Sequence, residues 1–574
     1  MVRCTYRFIL IALLFALLGS TLRAQSVGSE QAYDVVILNG RVVDGTGNSW
    51  FYGDVAIRGG RIARITPAGL LRGAPARARI EARGLAVAPG FIDIQSHSRG
   101  AFLTGDGRVI SKVTQGITTE IMGEGWTNAP ANDHTLSLAG SVDPEERNLT
   151  DRFRGPRSFA NWLEAMQEHG TSANFGSFLG ATTVRTYVKA MAEGAPTADE
   201  LEEMRQLVRN AMEDGAFGIA TALIYPPGNF ATTEELIELA KAMAPYGGVY
   251  ITHMRSEADK YLEAIEEALE IGRKGEVPVE IYHLKAAGRR NWYKARLAVA
   301  KIEAARAEGQ DVGADMYPYI AGGTGLSACL PPWASAKGKL FENLEDPAMR
   351  AKIKDEVLEQ KTEWENLCTL AAPDGVVISG LRKPDNKPLV GKRLSEIAAE
   401  QGKDWVDAAM DLILSERQSI GSLFFLMTEE NLKLQMRQPW IKFGTDAGGV
   451  DPDNPPGLAH PRSYGTYPRI LGKYVREGRV MTLEETIRKM TSAVANRLSI
   501  RDRGLLREGM FADVVIFDPS TIGDRATFEQ PHQLSVGVRH VFVNGVAVVK
   551  EGSHTGAKPG RIVRGPGYAR GRNP

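Results

Sequence analysis

The sequence predicts an α/β protein with a (β/α)8 barrel of the TIM type and a small β-sandwich domain built from both ends of the chain. Three observations lead to this fold class. Eight apolar runs in the middle of the chain alternate with helical segments, both ends carry hairpin signals, and the last two runs are separated by an unusually long interval. The chain of 574 residues is long enough for such a barrel and a second domain.

The first 24 residues differ in composition from the rest of the chain. Arg3 and Arg7 precede the apolar run "FILIALLFALL" (8–18), and small residues follow near Ala24. This is the pattern of a secretory signal peptide, and the run is short for a membrane span. We therefore expect residues 1–24 to be removed, the protein to be exported to the periplasm, and no stable membrane insertion to remain. An uncleaved anchor is the alternative.

The two ends of the remaining chain share a β-rich texture. Residues 32–89 contain "YDVVILNGRVVDGTG", and residues 501–558 contain "VRHVFVNGVAVVKEG", with alternating apolar residues between Asn-Gly and Asp-Gly turns. We predict that these two stretches form one β-sandwich domain. The Gly- and Arg-rich residues 559–574 are predicted to be a flexible tail.

Residues 90–500 are predicted to form the barrel. A capping box at Thr197 and Glu200 and a stop at Gly215 mark one of its helices. The interval of about 324–440 is read as an inserted subdomain that covers the substrate, or that serves only oligomerisation or stability. The predicted strands lie within runs 90–98, 118–125, 173–184, 216–228, 248–257, 277–288, 311–323 and 441–449.

The composition restricts the partners of the protein. The formal net charge is zero, with 43% hydrophobic and 24% charged residues, which gives no electrostatic argument for nucleic acid or a membrane surface. A small-molecule substrate is expected, and the oligomeric state is not predicted. Once Cys4 leaves with the signal, Cys329 and Cys368 are either buried apolar residues or one disulfide.

Polar residues at the ends of the predicted strands indicate a metal-dependent hydrolase. His97, His253 and His283 fall at or near the ends of strands one, five and six, while Glu124 and Asp446 follow strands two and eight. In a (β/α)8 barrel these ends meet at one face, where the chemistry occurs. Imidazole and carboxylate are suitable ligands for zinc, and Asp446 could accept a proton from water.

The motifs around these residues resemble those of the N-acyl-D-amino-acid deacylase (D-aminoacylase) family of the amidohydrolase superfamily. The resemblance covers nearly the whole mature chain and rests on "PGFIDIQSHS", "VTQGITTEIMGEG", "ITHMRSE", "IYHLKAAG", "DMYPYIAGGTGLSACLPPWA", "GTDAGG" and "HPRSYGTYPRILGKYVRE". It implies zinc-dependent hydrolysis of the N-acyl amide bond of N-acyl-D-amino acids, or of related dipeptides that contain a D-residue.

The resemblance also implies roles for individual residues. It makes His253 and His283 ligands of a tightly bound zinc ion and Asp446 the proton-transfer residue. Arg462 would bind the substrate carboxylate through its planar guanidinium. Three further residues, Lys285, Tyr317 and Tyr225, would lie near the same pocket, and His460 would support it.

Two positions depart from the family pattern. Gln95 occupies the first position of the His-x-His motif of that family, so that only His97 of this pair remains as a ligand. Glu124 falls nearest to the place of a metal-binding cysteine. A glutamine amide binds zinc weakly, so one tightly bound ion is predicted and a second is doubtful.

Two other functions are compatible with the same sequence. A cyclic-amide hydrolase of the dihydroorotase or hydantoinase kind would use two metals bridged by a carboxylated lysine, but Gln95 removes one of the histidines that such a site needs. A non-catalytic exported binding protein derived from an amidohydrolase is the other alternative. The presence of His253, His283 and Asp446 argues against it.

Overall fold

The computed structural model describes residues 32–138, 144–359, 362–455 and 457–568. The predicted signal peptide, residues 1–24, lies outside these ranges. Within them, no helix combines the length and the apolar character that crossing a membrane requires.

The N-terminal part of the chain forms the first five strands of a mixed sheet. A bulge between Ile37 and Gly40 bends the first strand, so that its two halves pair with two different parallel neighbours, β4 and β5. The five strands are β1 (Tyr33–Val42), β2 (Phe51–Arg58), β3 (Arg61–Pro67), β4 (Ala76–Glu81) and β5 (Ala86–Pro89).

Parallel strands separated by helices follow, as the alternating apolar runs predicted. These strands are almost entirely buried, which is typical of a parallel sheet covered on both faces. They are β6 (Phe91–Asp93), β7 (Ile117–Met122), the adjoining β8 (Asn174–Ser177) and β9 (Leu179–Gly180), β10 (Gly218–Ala222), β11 (Val249–His253), β12 (Val279–Ile281) and β13 (Val312–Met316).

The helices between these strands pack around the sheet. The helix Ala198–Asp214 has the predicted capping box at Thr197 and Glu200, and it ends at Gly215 in a left-handed conformation with φ 106°, so both predicted boundaries are confirmed. The helices are α1 (Arg99–Leu103), α2 (Ile110–Val113), α3 (Asp133–Leu138), α4 (Pro144–Asp151), α5 (Phe159–His169), α6 (Ala181–Lys189), α7 (Ala198–Asp214), α8 (Thr233–Met243), α9 (Tyr261–Gly275) and α10 (Lys294–Ala307), with 3₁₀ turns at Gly228–Phe230, Ala244–Tyr246 and Arg289–Asn291.

The long interval after β13 folds as a unit around a hydrophobic core that also includes Ala258, Ala287, Tyr317 and Tyr319 from the barrel. Its antiparallel sheet, in the order β14-β16-β15, consists of β14 (Ala321–Gly325), β15 (Val376–Gly380) and β16 (Gly421–Phe425). Its helices are α11 (Leu340–Glu345), α12 (Pro347–Val357), α13 (Leu367–Ala371), α14 (Leu394–Gln401) and α15 (Trp405–Glu416), and its 3₁₀ turns are Leu326–Cys329, Pro332–Gly338, Pro373–Gly375 and Pro384–Leu389. Cys329 and Cys368 form a disulfide within this unit. The unit is called the insertion below.

After the insertion, α16 (Glu429–Met436) leads into the last parallel strand, β17 (Ile441–Phe443). The strand pairings run β6-β7-β8 and β9-β10-β11-β12-β13-β17, and a parallel bridge between Ser96 and Ala447 joins the first segment to the last. Such a cyclic order of parallel strands is that of a (β/α)8 barrel. Asp93 fixes this junction because it accepts hydrogen bonds from Lys112 Nζ at 2.7 Å and from the backbone N–H of Thr445 at 2.8 Å.

The C-terminal part returns to the first sheet. After α17 (Arg462–Arg469), a π-helical segment (Ile470–Glu477), α18 (Leu483–Met490) and α19 (Ser492–Arg497), it adds β18 (Val514–Phe517), β19 (Val538–Val543), β20 (Val546–Lys550) and β21 (Ser553–His554). Both ends of the chain thus share one nine-stranded sheet. The strands that the sequence predicted to form a β-sandwich domain belong to one continuous hydrogen-bonded sheet, because β5 pairs with both β1 and β18.

The prediction of a flexible tail from residue 559 is wrong for residues 559–568. The backbone of this segment pairs with the barrel: Phe175 exchanges hydrogen bonds with Arg561 and Val563 at 3.1 and 2.7 Å, and the N–H of Gly565 donates to Gly215 O at 2.8 Å. The glycines that suggested flexibility allow close approach instead, since a Cβ on Gly560 would lie 2.1 Å from Ala173 O. Residues 569–574 lie outside the described ranges.

Candidate active site

A cavity of about 420 Å³ opens at the C-terminal ends of the barrel strands. All nine residues to which the sequence assigned a metal-binding, catalytic or substrate-binding role line it: His97, Glu124, Tyr225, His253, His283, Lys285, Tyr317, Asp446 and Arg462. The barrel topology therefore brings together residues that are up to 365 positions apart in the chain, from 97 to 462.

Two glycines set the position of Glu124. Gly123 and Gly125, on either side, have φ values of 112° and 64°, which favour glycine. A Cβ on Gly123 would lie 2.3 Å from Phe178 O, so the loop after β7 can pass close to the next strand only with glycine there. The sequence "GEG" thus allows a sharp turn that places the Glu124 carboxylate in the cavity.

One oxygen of Glu124 faces two histidines. Glu124 Oε1 lies 3.0 Å from His253 Nδ1 and 3.4 Å from His283 Nε2. The two imidazole rings are 4.4 Å apart and nearly perpendicular. One donor atom from each of these three residues lies within 4.8 Å of the others, so the three form a group that could hold a metal ion.

The other oxygen of Glu124 faces a second group. Glu124 Oε2 lies 3.3 Å from His97 Nε2, which in turn lies 2.9 Å from Asp446 Oδ1, and these three residues also satisfy the spacing of a metal site. Gln95 competes for the same oxygen, because its Nε2 donates to Glu124 Oε2 at 2.6 Å. Gln95 Oε1 is buried without a hydrogen-bond partner in the described part of the chain.

Two of the site residues have unusual backbone conformations. His283 and Asp446, which follow β12 and β17, have φ values of 33° and 48°. Positive φ is uncommon for residues with a Cβ, and such strain costs on the order of 1–3 kcal/mol per residue. These strained positions coincide with two residues that sequence motifs assigned to the chemistry.

Glu257 is a residue of the site that the sequence motifs did not identify. This buried carboxylate lies behind both histidines of the first group: Oε1 is 2.9 Å from His283 Nδ1, and Oε2 is 3.8 Å from His253 Nε2. Lys285 Nζ donates to the same Oε1 at 2.6 Å. Glu257 is the last residue of the fifth predicted apolar run, four residues after His253. This position at the end of a predicted strand is the sequence feature that could have identified it as a site residue.

Close contacts between imidazoles and carboxylates shift their pKa values strongly. Burial raises the pKa of Glu124, but hydrogen bonds to the three histidines hold it well below its usual range. Burial and Lys285 lower the pKa of His283, whereas Glu257 and Glu124 raise it to about 10. Burial also lowers the pKa of His97, but hydrogen bonds to Asp446 and Glu124 raise it to about 9. A cation that binds these nitrogens must therefore displace protons.

Asp446 and Arg462 form an ion pair beside the second group, with 2.6 Å between Asp446 Oδ2 and Arg462 Nη1. Burial raises the pKa of Asp446, but the charge of Arg462 and the hydrogen bond to His97 lower it to about 2. Asp446 is therefore ionised at neutral pH and able to accept a proton.

Arg462 is held by the insertion and by aromatic residues. Its Nη2 donates to Gly323 O in β14 at 3.4 Å, and its guanidinium lies 4.7 Å from the ring centre of Tyr317. The buried His460 accepts from the backbone N–H of Arg462 at 3.0 Å, as expected for a supporting residue. Tyr225 OH donates to Thr324 Oγ1 at 2.8 Å and so joins the barrel rim to β14.

Known proteins that are similar to this chain include amidohydrolases and D-aminoacylases. The profile of the "Amidohydrolase family" matches residues 391–549. A D-aminoacylase from Alcaligenes xylosoxydans xylosoxydans is 36% identical, over 94% of this chain and 99% of its own length.

Two solved structures are similar to this chain over nearly its whole length. The structure of a D-aminoacylase described by its "binuclear metal center" with "one-metal activation and second-metal attenuation" has a TM-score of 0.76 and 34% identity, over 93% of this chain and 100% of its own. An N-acyl-D-glutamate deacylase from Bordetella bronchiseptica, complexed with zinc and a phosphonate that mimics the tetrahedral intermediate, has a TM-score of 0.76 and 32% identity over the same shares.

Proposed function

The chain belongs to the D-aminoacylase family of the amidohydrolases, and we propose that it is a zinc-dependent enzyme that hydrolyses the N-acyl amide bond of N-acyl-D-amino acids or of related D-residue-containing dipeptides. The observation that carries this proposal is the arrangement of Glu124, His253 and His283 beside the Asp446–Arg462 ion pair in one cavity. These residues provide a metal site, a base and a cation for the substrate carboxylate.

The first donor group fits a zinc ion. It offers two imidazole nitrogens and one carboxylate oxygen, which leaves room for further ligands in a catalytic site. Glu257 supports the fit, because a metal-binding histidine usually donates its other N–H to a carboxylate. Zinc held by Glu124, His253 and His283 would polarise the scissile carbonyl and lower the pKa of water.

The second donor group supports weaker binding of an ion. His97, Glu124 and Asp446 are close enough together, but Gln95 stands where the family has a histidine and already engages Glu124 Oε2. A neutral amide adds little affinity for zinc. We therefore propose one tightly bound ion in the first group and weak binding, at most, in the second.

Asp446 is proposed as the proton-transfer residue. Its ionised carboxylate accepts the proton of the attacking water and passes it to the leaving amine nitrogen. Arg462, which faces Asp446 Oδ2, binds the free carboxylate of the substrate, with Lys285, Tyr317 and Tyr225 around it. This arrangement orients the N-acyl bond toward Asp446 and the metal group.

The geometry does not favour a cyclic-amide hydrolase. The residue shared by the two donor groups is the carboxylate of Glu124, which stands at the position between them that a bridging carboxylated lysine would need. Lys285 lies in the cavity, but its ammonium is bound to Glu257.

Export to the periplasm remains part of the proposal. The N-terminal signal pattern supports it, and so does the Cys329–Cys368 disulfide, since disulfides persist in oxidising compartments. Cell fractionation together with the mass of the mature protein would test it, and an intact N-terminus in the cytoplasmic fraction would contradict it.

The experiment that tests the proposed function combines metal content with a substrate screen. Purified protein should contain close to one equivalent of zinc and should hydrolyse N-acetyl-D-amino acids but not their L-enantiomers. Asp446→Asn should lower kcat by about 10²–10⁴-fold, the usual contribution of a general base, and should retain the metal. Asp451→Asn, which alters a half-exposed aspartate five positions on, is the matched control and should keep its activity. Protein that is fully loaded with metal and still inactive on every N-acyl-D-amino acid would overturn the proposal.

A further inference from the structure

His283 lines the cavity, although the alternation of its strand predicts that it faces the surrounding helices. Successive side chains of a strand point to opposite faces, so that positions 279, 281 and 283 should share one face. Val279 faces helix α9, because a Cβ on Gly272 of that helix would lie 2.2 Å from Val279 Cγ2. Ile281 belongs to the same hydrophobic cluster as Val279. A regular strand would therefore direct the imidazole of His283 away from the metal group.

The residue before His283 agrees with this alternation. Tyr282 is fully buried in a hydrophobic cluster with Ile251 and Ala220, which lie on the neighbouring barrel strands β11 and β10. This cluster is separate from the one that contains Val279 and the helices. The side chain of position 282 thus points into the barrel, and position 283 would point outward if β12 continued without a change.

The chain changes its register against β13 at His283. The N–H of Val279 donates to Asp311 O, and two regular steps of two residues would bring the N–H of His283 to the backbone carbonyl of Asp315. That carbonyl instead accepts from the N–H of Leu284 at 2.8 Å, one residue later. His283 is the extra residue, with a left-handed φ of 33°. An extra residue at the rim of a barrel redirects a side chain, and here the imidazole turns into the cavity.

The side chain of Asp315 replaces the partner that this change of register removes. Asp315 Oδ1 accepts from the backbone N–H of His283 at 2.9 Å, while the backbone carbonyl of Asp315 accepts from Leu284. His283 is only 2% exposed, so its N–H would have little access to water if Asp315 did not accept from it. A buried N–H without an acceptor is strongly unfavourable. One residue of β13 therefore satisfies both N–H groups of the turn.

The carboxyl group of Asp315 has no other evident task. Asp315 is fully buried and does not line the cavity, and its Oδ2 has no hydrogen-bond partner within the described ranges of the chain. A buried carboxyl group is costly unless its oxygens are engaged. The contact that offsets this cost is the hydrogen bond to His283.

We infer that Asp315 is a positioning residue, which holds His283 in the left-handed conformation that turns its imidazole from the helices toward Glu124 and His253. The inference rests on the proposed function, because it adds a residue to the proposed metal group. Asp315 acts on the backbone of His283, whereas Glu257 contacts the ring at Nδ1. Zinc affinity should therefore depend on a residue that does not reach the cavity.

The first test removes the acceptor. Asp315→Val fills most of the same volume but cannot accept a hydrogen bond, so the imidazole of His283 loses its fixed direction. We expect zinc affinity to fall by about 10–100-fold, the usual range for loss of a residue that orients a metal ligand. Asp315→Asn keeps an oxygen that can accept from the N–H and should bind zinc within about 3-fold of the wild type. Competition with a chelator measures both affinities without substrate.

Asp311→Val is the matched control. It is the same substitution just before the start of β13, where Asp311 pairs with Arg497 at 2.8 Å on the side of the barrel opposite the cavity. Its zinc affinity should equal that of the wild type. If Asp315→Val binds zinc as tightly as Asp311→Val, the inference is wrong.

The second test asks whether Asp315 acts through His283. In a His283→Ala background, Asp315→Val should change zinc affinity by less than about 2-fold, because the ligand that it positions is absent. An equal loss in both backgrounds would show a general effect on the fold and would contradict the inference. Asp315→Ser, whose hydroxyl ends one atom short of the Oδ1 position, repeats the test where Asp315→Val does not fold.

The inference and the proposed function fail in different ways. Wild-type protein that binds no zinc would refute both. Wild-type protein that binds zinc and hydrolyses N-acyl-D-amino acids, together with unchanged zinc affinity in Asp315→Val and Asp315→Ser, would refute the inference alone.

Discussion

Glu124 connects the two donor groups of the site through its two carboxylate oxygens. Oε1 contacts the ring nitrogens of His253 and His283. Oε2 contacts His97 and accepts a hydrogen bond from Gln95. A carboxylate can bridge in this way because its two oxygens are equivalent and each accepts more than one hydrogen bond. The position of Glu124 could be inferred from its motif, but the division of its oxygens depends on side-chain torsions that no local pattern encodes.

Glu257→Gln tests the supporting carboxylate behind the metal group. The amide keeps the shape of Glu257 but removes the charge that orients His283 and binds Lys285. We expect zinc affinity to fall by about 10–100-fold, the usual effect of losing such a partner. The measurement is competition for zinc with a chromophoric chelator, which requires no turnover.

Glu263→Gln is the control for this variant, because Glu263 is an exposed carboxylate on the following helix α9. Its zinc affinity should equal that of the wild type. If Glu257→Gln binds zinc as tightly as the wild type, Glu257 does not position the histidines.

At the scale of elements, the insertion is a folded unit that reaches the active site through few residues. A hydrophobic core, formed mainly by its own residues, and its disulfide hold it together. Glu365 provides one of the polar links to the barrel, because it accepts from the backbone N–H of Glu257, which supports the metal group. The length of the interval predicted the insertion. Its contacts with the site could not be predicted, since they join residues 108 positions apart.

The contribution of Glu365 to the stability of the folded protein should depend on pH. Burial and the negative charge of Glu257 raise the pKa of Glu365 to about 7, although the N–H of Glu257, the hydroxyl of Ser256 and the charge of Lys285 oppose the shift. The ordinary pKa of a glutamate carboxyl is 4.5, so the folded state binds the proton more tightly than the unfolded state. The contribution of Glu365 to stability is therefore complete below pH 4.5 and is lost as the pH rises through 7.

Glu365→Gln should remove this dependence. Between pH 5 and 8 the wild type should lose about 1–2 kcal/mol of unfolding free energy more than the variant. Glu363→Gln, which changes an exposed neighbour paired with Lys260, should behave like the wild type. Denaturant unfolding at several pH values measures the difference, and parallel curves for wild type and Glu365→Gln would contradict the assignment.

At the scale of the whole molecule, the sheet formed by the N- and C-terminal parts of the chain is hydrogen-bonded to the barrel. A buried network joins the terminal sheet to β8: Asn544 Nδ2 donates to Asn174 Oδ1 at 2.7 Å, and Asp513 accepts from Asn174 Nδ2 at 3.1 Å and from Arg503. The segment 559–568 then continues along the barrel. Composition suggested a loose tail, but the small glycines allow this segment to pair closely with the barrel backbone.

Truncation measures how much this segment contributes. A chain that ends at residue 558 loses four backbone hydrogen bonds to the barrel, which involve Gly560, Arg561, Val563 and Gly565. We expect a loss of about 3 kcal/mol in unfolding free energy. A chain that ends at residue 568 keeps all four and should match the full-length protein. Equal thermal stability of the two truncated chains would contradict this role.

Local sequence patterns determined the elements and the residue types of the site. Alternating apolar runs located every barrel strand, the capping box and Gly215 set the ends of α7, and the sequence motifs identified nine residues of the cavity and the family. These features depend on residues close together in the chain, and their physical causes, hydrophobic periodicity and helix capping, act over a few positions.

Only the tertiary structure decided how these residues contact one another. His97 and Asp446, 349 positions apart, meet across the junction of the first and last strands, and Gln95 is directed to Glu124 by the same junction. The Glu257 carboxylate behind the histidines and the Cys329–Cys368 disulfide likewise arise from packing between distant segments. Such contacts depend on the closure of the barrel and on side-chain torsions, which the linear pattern of residues does not specify.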